Sequence, residues 1–148
     1  EQSAAEAVYG RLAAREPAPP TALNNLAWLR AEHAERREEA VELARRAVRA
    51  RPDRPEFLDT LGWLLHLEGR DDDARELLYR AAVKAPANPV HRYHLAVVLV
   101  ELGQGDRARA HLEMALLTRV DFPEAEQARR LLAKLDGARD DSERFDVR

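Results

Sequence analysis

Four prolines recur along the chain at an almost constant interval. The spacings between Pro20, Pro55, Pro89 and Pro123 are 35, 34 and 34 residues. Proline is favoured in the first turn of a helix, because its missing N–H would have no partner there. A period of this length is typical of stacked helix pairs. The prolines therefore predict a helical unit that is repeated three times, with each copy and a final helix starting at a proline.

The unit between Pro55 and Asn88 shows the repeat most clearly. Its apolar residues recur at the three- and four-residue spacing of an amphipathic helix. Gly69 falls in the middle, where a turn between two helices requires a positive φ angle. Because a unit this small cannot bury its own apolar face, it requires neighbours of the same kind. The positions that define the pattern are Leu58, Leu61, Gly62, Leu65, Ala74, Leu78 and Pro86.

The other segments fit around three full repeats. Residues Ser3 to Glu16 predict an amphipathic helix that the following prolines end, which matches the second helix of a truncated repeat. Because the chain also starts at Glu1 rather than Met, we expect a fragment of a longer protein. The predicted segments are 1–19 for the half repeat, 20–54, 55–88 and 89–122 for the repeats, 123–135 for a C-terminal capping helix, and 136–148 for a charged, disordered tail.

Two of the repeats depart from the pattern. The first is one residue longer, and the extra residue falls in the turn between Ala34 and Arg37, where glycine is absent. Arg30 also stands where the pattern has an apolar residue. In the third repeat, Val120 replaces the proline near the end of the unit.

The pattern as a whole resembles the tetratricopeptide repeat (TPR), with leucine in the large aromatic positions. The resemblance implies an all-α fold, a right-handed superhelical solenoid of antiparallel helix pairs with about eight helices. It also implies a non-catalytic adaptor or scaffold. The phrases LNNLAWL, LDTLGWLL and RYHLAVVL further resemble the last repeats of bacterial TPR proteins from exopolysaccharide and exosortase (PEP-CTERM) systems.

The first helices of stacked pairs line the concave side of the stack, so their non-core stripe predicts a binding groove. Trp28 and Trp63 occupy equivalent positions, and together they could form an aromatic floor for a partner peptide or helix. Alternatively, each tryptophan packs between adjacent first helices. The predicted partner-binding residues are Asn24, Trp28, Glu56, Asp59, Trp63, His66, Tyr93 and Val97.

Charge narrows the class of partner. TPR domains that clamp the carboxylates of a partner's C-terminal tail use Lys or Arg beside Asn, whereas this stripe has Glu56 and Asp59 and no lysine. We therefore expect a neutral, apolar or mildly basic segment. An arginine cluster near the second helix of the first repeat is either a surface for an acidic partner or a solvated face balanced by glutamates. Its members are Arg36, Arg37, Arg45, Arg46, Arg49, Arg51 and Arg54.

The sequence offers little for catalysis or cofactor binding. The chain has no cysteine, and its net charge of −3 provides no field that would attract nucleic acid or an anionic membrane. His91 and His94 have the spacing of a metal pair but lack a third ligand. No apolar run has the length of a membrane span. We expect no enzyme activity, no cofactor, no metal, no nucleic-acid partner and no membrane insertion.

Three functions stay open from the sequence. The first is a protein–protein interaction module that binds a peptide or helix in the concave groove, with a bacterial envelope or exopolysaccharide assembly system as one setting. The second is a scaffold that self-assembles by end-to-end stacking of repeats, between copies or with missing N-terminal repeats. The third is a regulatory segment of a larger enzyme or transport complex. The compartment is open between the cell envelope, including the periplasm, and the cytoplasm.

Overall fold

The computed structural model describes residues 2–118 and 121–145, with side chains over 3–118 and 121–138. These residues form α-helices joined by short turns, and no strand occurs among them, so the all-α prediction is confirmed. Val120, which replaces the proline in the third repeat, lies outside the described residues. The helices are α1 (Gln2–Ala13), α2 (Pro20–Ala31), α3 (Arg37–Ala50), α4 (Pro55–Leu67), α5 (Asp71–Lys84), α6 (Pro89–Glu101), α7 (Gly105–Leu117) and α8 (Ala125–Phe145).

The chain divides into two compact units. Unit 1 comprises residues 1–84 and contains α1 to α5, and unit 2 comprises residues 85–148 and contains α6 to α8. Within unit 1, α2 packs on α3 and α4 on α5, while α1 contacts α2 and α4 contacts both α2 and α3. Within unit 2, α7 packs against α6 on one side and α8 on the other. Each unit is thus built from helix pairs whose partners are neighbours in sequence.

The repeating prolines open helices as predicted in three of four cases. Pro20, Pro55 and Pro89 each stand in the first turn of α2, α4 and α6. The side chain of Asn88 caps α6 by accepting a hydrogen bond from the Val90 N–H at 3.0 Å. Pro123 is the exception, because it lies in a turn and α8 begins two residues later.

The core of unit 1 is made of leucine and alanine at the repeat positions. Leu26, Leu58, Leu64 and Leu78 are at most 2% exposed, and burying each such side chain contributes about 1.5–3 kcal/mol. Gly62 lets α5 come close to α4, since a Cβ atom there would lie 2.7 Å from Leu78 Cγ. The small-residue position of the repeat therefore has a packing cause.

The turns between paired helices differ between repeats. Gly69 and Gly103 adopt φ angles of +73° and +70°, which side chains other than glycine rarely tolerate. The first repeat has no glycine at this point, and its longer connection forms a 3₁₀ turn over Ala34–Arg36 instead. The extra residue of that repeat thus replaces the left-handed glycine.

Arg30, the unexpected charge in the first repeat, belongs to an ion-pair network. Its side chain pairs with Glu6 at 3.4 Å and with Glu39, while Arg36 pairs with Glu6 at 2.5 Å. The Arg36 guanidinium, with Arg30, holds the pKa of the Glu6 carboxyl below its ordinary value. The network connects α1, α2 and α3 around the turn that lacks glycine.

Two terminal helices differ from their predicted lengths. The first runs over Gln2–Ala13, so it ends three residues before Glu16. The predicted capping helix 123–135 is observed as α8, which continues to Phe145, so most of the predicted disordered tail 136–148 is helical. Arg109 of α7 donates hydrogen bonds to the Leu135 carbonyl at 2.9 Å and to Asp136 at 2.7 Å, so the helix is held where the tail was expected to begin. Residues 146–148 lie outside the described part of the chain.

Candidate functional site

The exposed side of α2 carries a candidate binding feature of unit 1. Trp28 is 41% exposed there, although α2 otherwise buries its apolar residues well. Residues spaced by three, four and seven positions share one side of a helix. We call this side the α2 face, and it consists of Thr21, Asn25, Trp28 and Glu32.

Asn24 lies beside this face but is buried. Its residue is only 8% exposed, and its Oδ1 atom accepts no hydrogen bond from any described residue. A buried acceptor without a donor is costly, typically by about 1–3 kcal/mol. Asn24 therefore belongs to the buried side of α2 and not to the solvent-exposed α2 face.

The predicted residues of α4 are placed at different depths. Glu56 is exposed and pairs with Arg54 at 3.4 Å, whereas Asp59 is buried at 6% exposure. Trp63 is half-buried, with its ring centroid 5.0 Å from that of His66. Since α2 and α4 are in contact, both helices belong to the same packed unit.

His66 is fixed at the end of α4. Its Nδ1 lies 2.6 Å from the Asp71 Oδ1 at the start of α5, and its side chain is 16% exposed. This contact holds the imidazole against the Trp63 ring. The two tryptophans therefore differ in exposure, because Trp63 is half-buried beside a fixed neighbour and Trp28 is 41% exposed.

In unit 2, the predicted residues Tyr93 and Val97 are both half-buried on α6. The Tyr93 ring centroid lies 5.8 Å from that of His94. Burial raises the pKa of the Tyr93 hydroxyl, and the negative charge of Glu124 raises it further. Glu124 precedes α8, and sequence reasoning missed it because no repeat position marks a residue whose role depends on how α8 packs.

The arginine cluster of the first repeat is at least partly neutralised. Arg36 pairs with Glu6 at 2.5 Å, Arg49 with Glu42 at 2.6 Å and Arg54 with Glu56 at 3.4 Å. Arg37 donates a hydrogen bond to a backbone carbonyl. These partners favour the interpretation of a solvated, balanced helix face over a surface for an acidic partner.

The described residues contain neither a metal-binding cluster nor a membrane-spanning helix. Among them, no group of three or more His, Asp and Glu side chains could hold a metal ion. His91 and His94, the pair with metal-like spacing, are 3% and 2% exposed. None of the described helices combines the length and the apolar character needed to cross a membrane.

Comparison with protein families decides the class of this chain. One family model described as tetratricopeptide repeat matches residues 3–55 and 34–89, and a second with the same description matches residues 65–135. The chain belongs to the tetratricopeptide repeat family. A curated TPR member, the TPR repeat-containing protein PA4667 of Pseudomonas aeruginosa, is 38% identical over 77 residues. That match covers 52% of this chain, and the chain spans only 13% of the length of that relative.

Solved TPR-like structures share the fold at low sequence identity. MamA superposes with a TM-score of 0.76 at 17% identity, covering 90% of this chain and 76% of MamA. The Yersinia enterocolitica type III secretion chaperone SycD, solved with a peptide of the translocator YopD, gives 0.69 at 20% identity, covering 79% of this chain and 92% of SycD. TTC0263, a TPR protein of Thermus thermophilus, gives 0.70 at 24% identity, covering 86% of this chain and 69% of TTC0263. The TPR fold supports a non-catalytic role as a protein-interaction adaptor or scaffold.

Proposed function

We propose that this TPR chain is an interaction module that holds a short peptide or helix of a partner protein on the first helices of its repeats. The α2 face, with the adjoining part of α4, is its main contact surface in unit 1. The observation that carries the proposal is the exposure of Trp28, a large rigid side chain that the packing of unit 1 leaves open. Catalysis forms no part of this function.

Trp28 has the properties of a binding anchor. Tryptophan is enriched among the residues that dominate binding energy, because it buries a large area while few torsions are immobilised. A partner that covered the exposed part of Trp28 would remove apolar surface from water and gain about 25 cal/mol per Å² of it. A single anchor of this kind is consistent with a dissociation constant of about 1 µM, or about −8 kcal/mol.

The polar groups around Trp28 define what the partner should carry. Asn25, which is half-buried on the α2 face, offers a side-chain amide that can hydrogen-bond a peptide backbone. Glu32 and Glu56 are exposed carboxylates, and the only two lysines of the chain, Lys84 and Lys134, lie on other helices. This charge pattern favours a neutral, apolar or mildly basic segment and disfavours a partner's acidic C-terminal tail.

SycD provides an analogy at the level of the fold. Its structure contains a bound peptide of YopD, so a TPR array of similar size can hold a peptide. At 20% identity the analogy carries no partner over to this chain. The phrases that resemble exopolysaccharide-system TPR proteins make an envelope assembly system our proposed setting. We also propose that nucleic acid is not a partner, because the chain has a net charge of −3.

A second candidate function is self-assembly through α1. This helix exposes Val8 at 45%, and the neighbouring Ala4 and Ala7 are exposed as well. End-to-end packing of repeats would bury these residues. Sedimentation velocity across a hundredfold range of concentration tests it: self-assembly predicts a rising mass that Val8→Glu abolishes, and a constant monomer mass contradicts it.

Peptide selection followed by NMR mapping tests the main proposal. Random 15-residue peptides displayed on phage are selected on the immobilised chain, and an enriched peptide is titrated into the ¹⁵N-labelled protein. We expect the largest shifts at the Trp28 indole N–H and at the side-chain amide of Asn25. Failure to enrich any peptide, or shifts confined to α3, α5 and α7, would contradict the proposal.

A further inference from the structure

A glutamate in unit 2 has a buried oxygen for which the described residues supply no hydrogen bond. The Oε2 atom of Glu124 is inaccessible to solvent and has no donor within hydrogen-bonding distance among them. A carboxylate placed this way is unfavourable unless a positive or hydrogen-bonding group joins it. The residue as a whole is only partly buried, so part of Glu124 lies at the surface of unit 2.

Helix capping does not account for this oxygen. Glu124 directly precedes α8, and its backbone carbonyl accepts the hydrogen bond of the Ala128 N–H at 2.9 Å. A capping carboxylate would accept an N–H of the first helical turn, but Oε2 accepts none from the described residues. A structural role at the helix start therefore leaves the carboxylate unsatisfied.

Several arginines of unit 2 have other partners. Arg129 and Arg130 both pair with Glu126, at 3.6 Å and 3.1 Å. Arg92 donates to the Pro86 carbonyl and contacts the Met114 sulfur at 3.5 Å. The contacts of these arginines thus leave the Glu124 Oε2 atom without a positive partner among them.

Tyr93 shows that the charge of Glu124 reaches the predicted binding residues of α6. Burial is the main cause of the raised pKa of Tyr93, and the negative charge of the Glu124 carboxylate is the second cause. Tyr93 and Glu124 both belong to unit 2. An aromatic ring near a carboxylate is a favourable environment for a cation, because the ring face attracts positive charge and the carboxylate accepts its hydrogen bonds.

We propose that Glu124, together with Tyr93, is the binding site for a cationic side chain, an arginine or lysine, in the partner segment. This inference rests on the proposed function, because it assigns the partner's chemistry. It is the electrostatic opposite of a carboxylate clamp, since here the TPR chain supplies the carboxylate and the partner supplies the positive charge. The partner segment therefore carries at least one basic residue.

A double-mutant cycle on a selected peptide tests the proposal. Peptides enriched on the wild-type chain should share an arginine or lysine at one position, and Glu124→Gln should weaken their binding about tenfold. Replacing the peptide arginine by its neutral isostere citrulline should weaken binding by a similar factor, and the two changes together should cost no more than either alone. Glu126→Gln is the matched control, as an exposed glutamate two residues away, and should change affinity less than about twofold.

The outcomes separate this inference from the proposed function. If peptides bind but lack a basic residue, or bind Glu124→Gln as tightly as the wild type, the cationic site is wrong while the interaction module stands.

If no peptide is enriched, N-acetyl-arginine amide is titrated instead, with the Tyr93 ring followed by ¹³C NMR. It should lower the pKa of Tyr93 where N-acetyl-citrulline amide does not, and equal responses would overturn the proposal. Circular dichroism of Glu124→Gln verifies its folding, and a Tyr93 pKa that did not fall in this variant would also contradict the assignment.

Discussion

Trp28 and Trp63 occupy the same position in successive repeats, yet they differ in their exposure to solvent. Trp28 is 41% exposed, whereas Trp63 is half-buried against the His66 ring. One difference lies one turn further along the helix, where the second repeat has His66 and the first has Ala31. The Asp71 carboxylate holds the His66 imidazole beside the Trp63 ring, whereas the side chain of Ala31 is a single methyl group. The repeat pattern thus sets the backbone position of a side chain, whereas the neighbouring side chains determine how exposed it is to a partner.

The largest effect should be on stability, and it separates the two tryptophans. Trp63→Ala removes a partly buried ring and should lower the free energy of unfolding by about 2–4 kcal/mol. Trp28→Ala should cost at least about 1 kcal/mol less than Trp63→Ala, because a larger part of the Trp28 side chain is already exposed. Urea denaturation followed by circular dichroism measures both. Equal losses of unfolding free energy in the two variants would show that the two side chains are packed alike and would contradict the difference between them.

Exchanging the covering residue should exchange the exposure of the tryptophans. His66→Ala, made in a Trp28→Phe background, should open Trp63 to acrylamide quenching and cost about 1 kcal/mol through the lost contacts to Asp71 and Trp63. Ala31→His, made in a Trp63→Phe background, is the converse variant and should reduce the quenching of Trp28. Quenching that stayed unchanged in both variants would exclude the histidine as the cause.

The smallest effect concerns the acid dependence of the first repeat. The pKa of Glu6 is lowered chiefly by Arg36 from an ordinary value of 4.5, so its ion pairs stabilise the folded state above that pH. The contribution is lost as the pH falls through the folded-state pKa, because the carboxylate is then protonated. Glu6→Gln should therefore be less stable than the wild type at neutral pH and equally stable at strongly acidic pH. The difference should also shrink in about 1 M salt, as expected of an exposed pair. A difference that persisted in acid would mean that Glu6 acts through packing.

The repeat fold was predictable because it depends on local patterns. Each signal affects only the backbone within a few residues of it. The repeating prolines mark helix starts, the apolar spacing marks helices, and Gly69 marks a turn, and the observed helices agree with these signals. Depth was less predictable, since a stripe on one helix does not reveal what a neighbouring helix covers. Asn24 and Asp59 were assigned to an open stripe and are buried.

Long-range contacts were the least predictable part. The C-terminal segment was expected to be disordered because it is charged, but Arg109, 26 residues before Leu135, binds the backbone there and α8 continues. Glu124 likewise has no signature in the repeat, and its meaning comes from its buried oxygen and its charge near Tyr93. Such features can be recognised only from the packed structure.

The most direct test of the account compares two exposed aromatic side chains as anchors. Trp28 is on the α2 face, and Tyr79, at 48% exposure, is on α5 away from the proposed contact surface. Fluorescence anisotropy with a labelled selected peptide gives the dissociation constant for each alanine variant. The account predicts that Trp28→Ala weakens binding at least about tenfold, by about 1.4 kcal/mol or more, and that Tyr79→Ala changes it less than about twofold. A loss of binding in Tyr79→Ala with no loss in Trp28→Ala would contradict it.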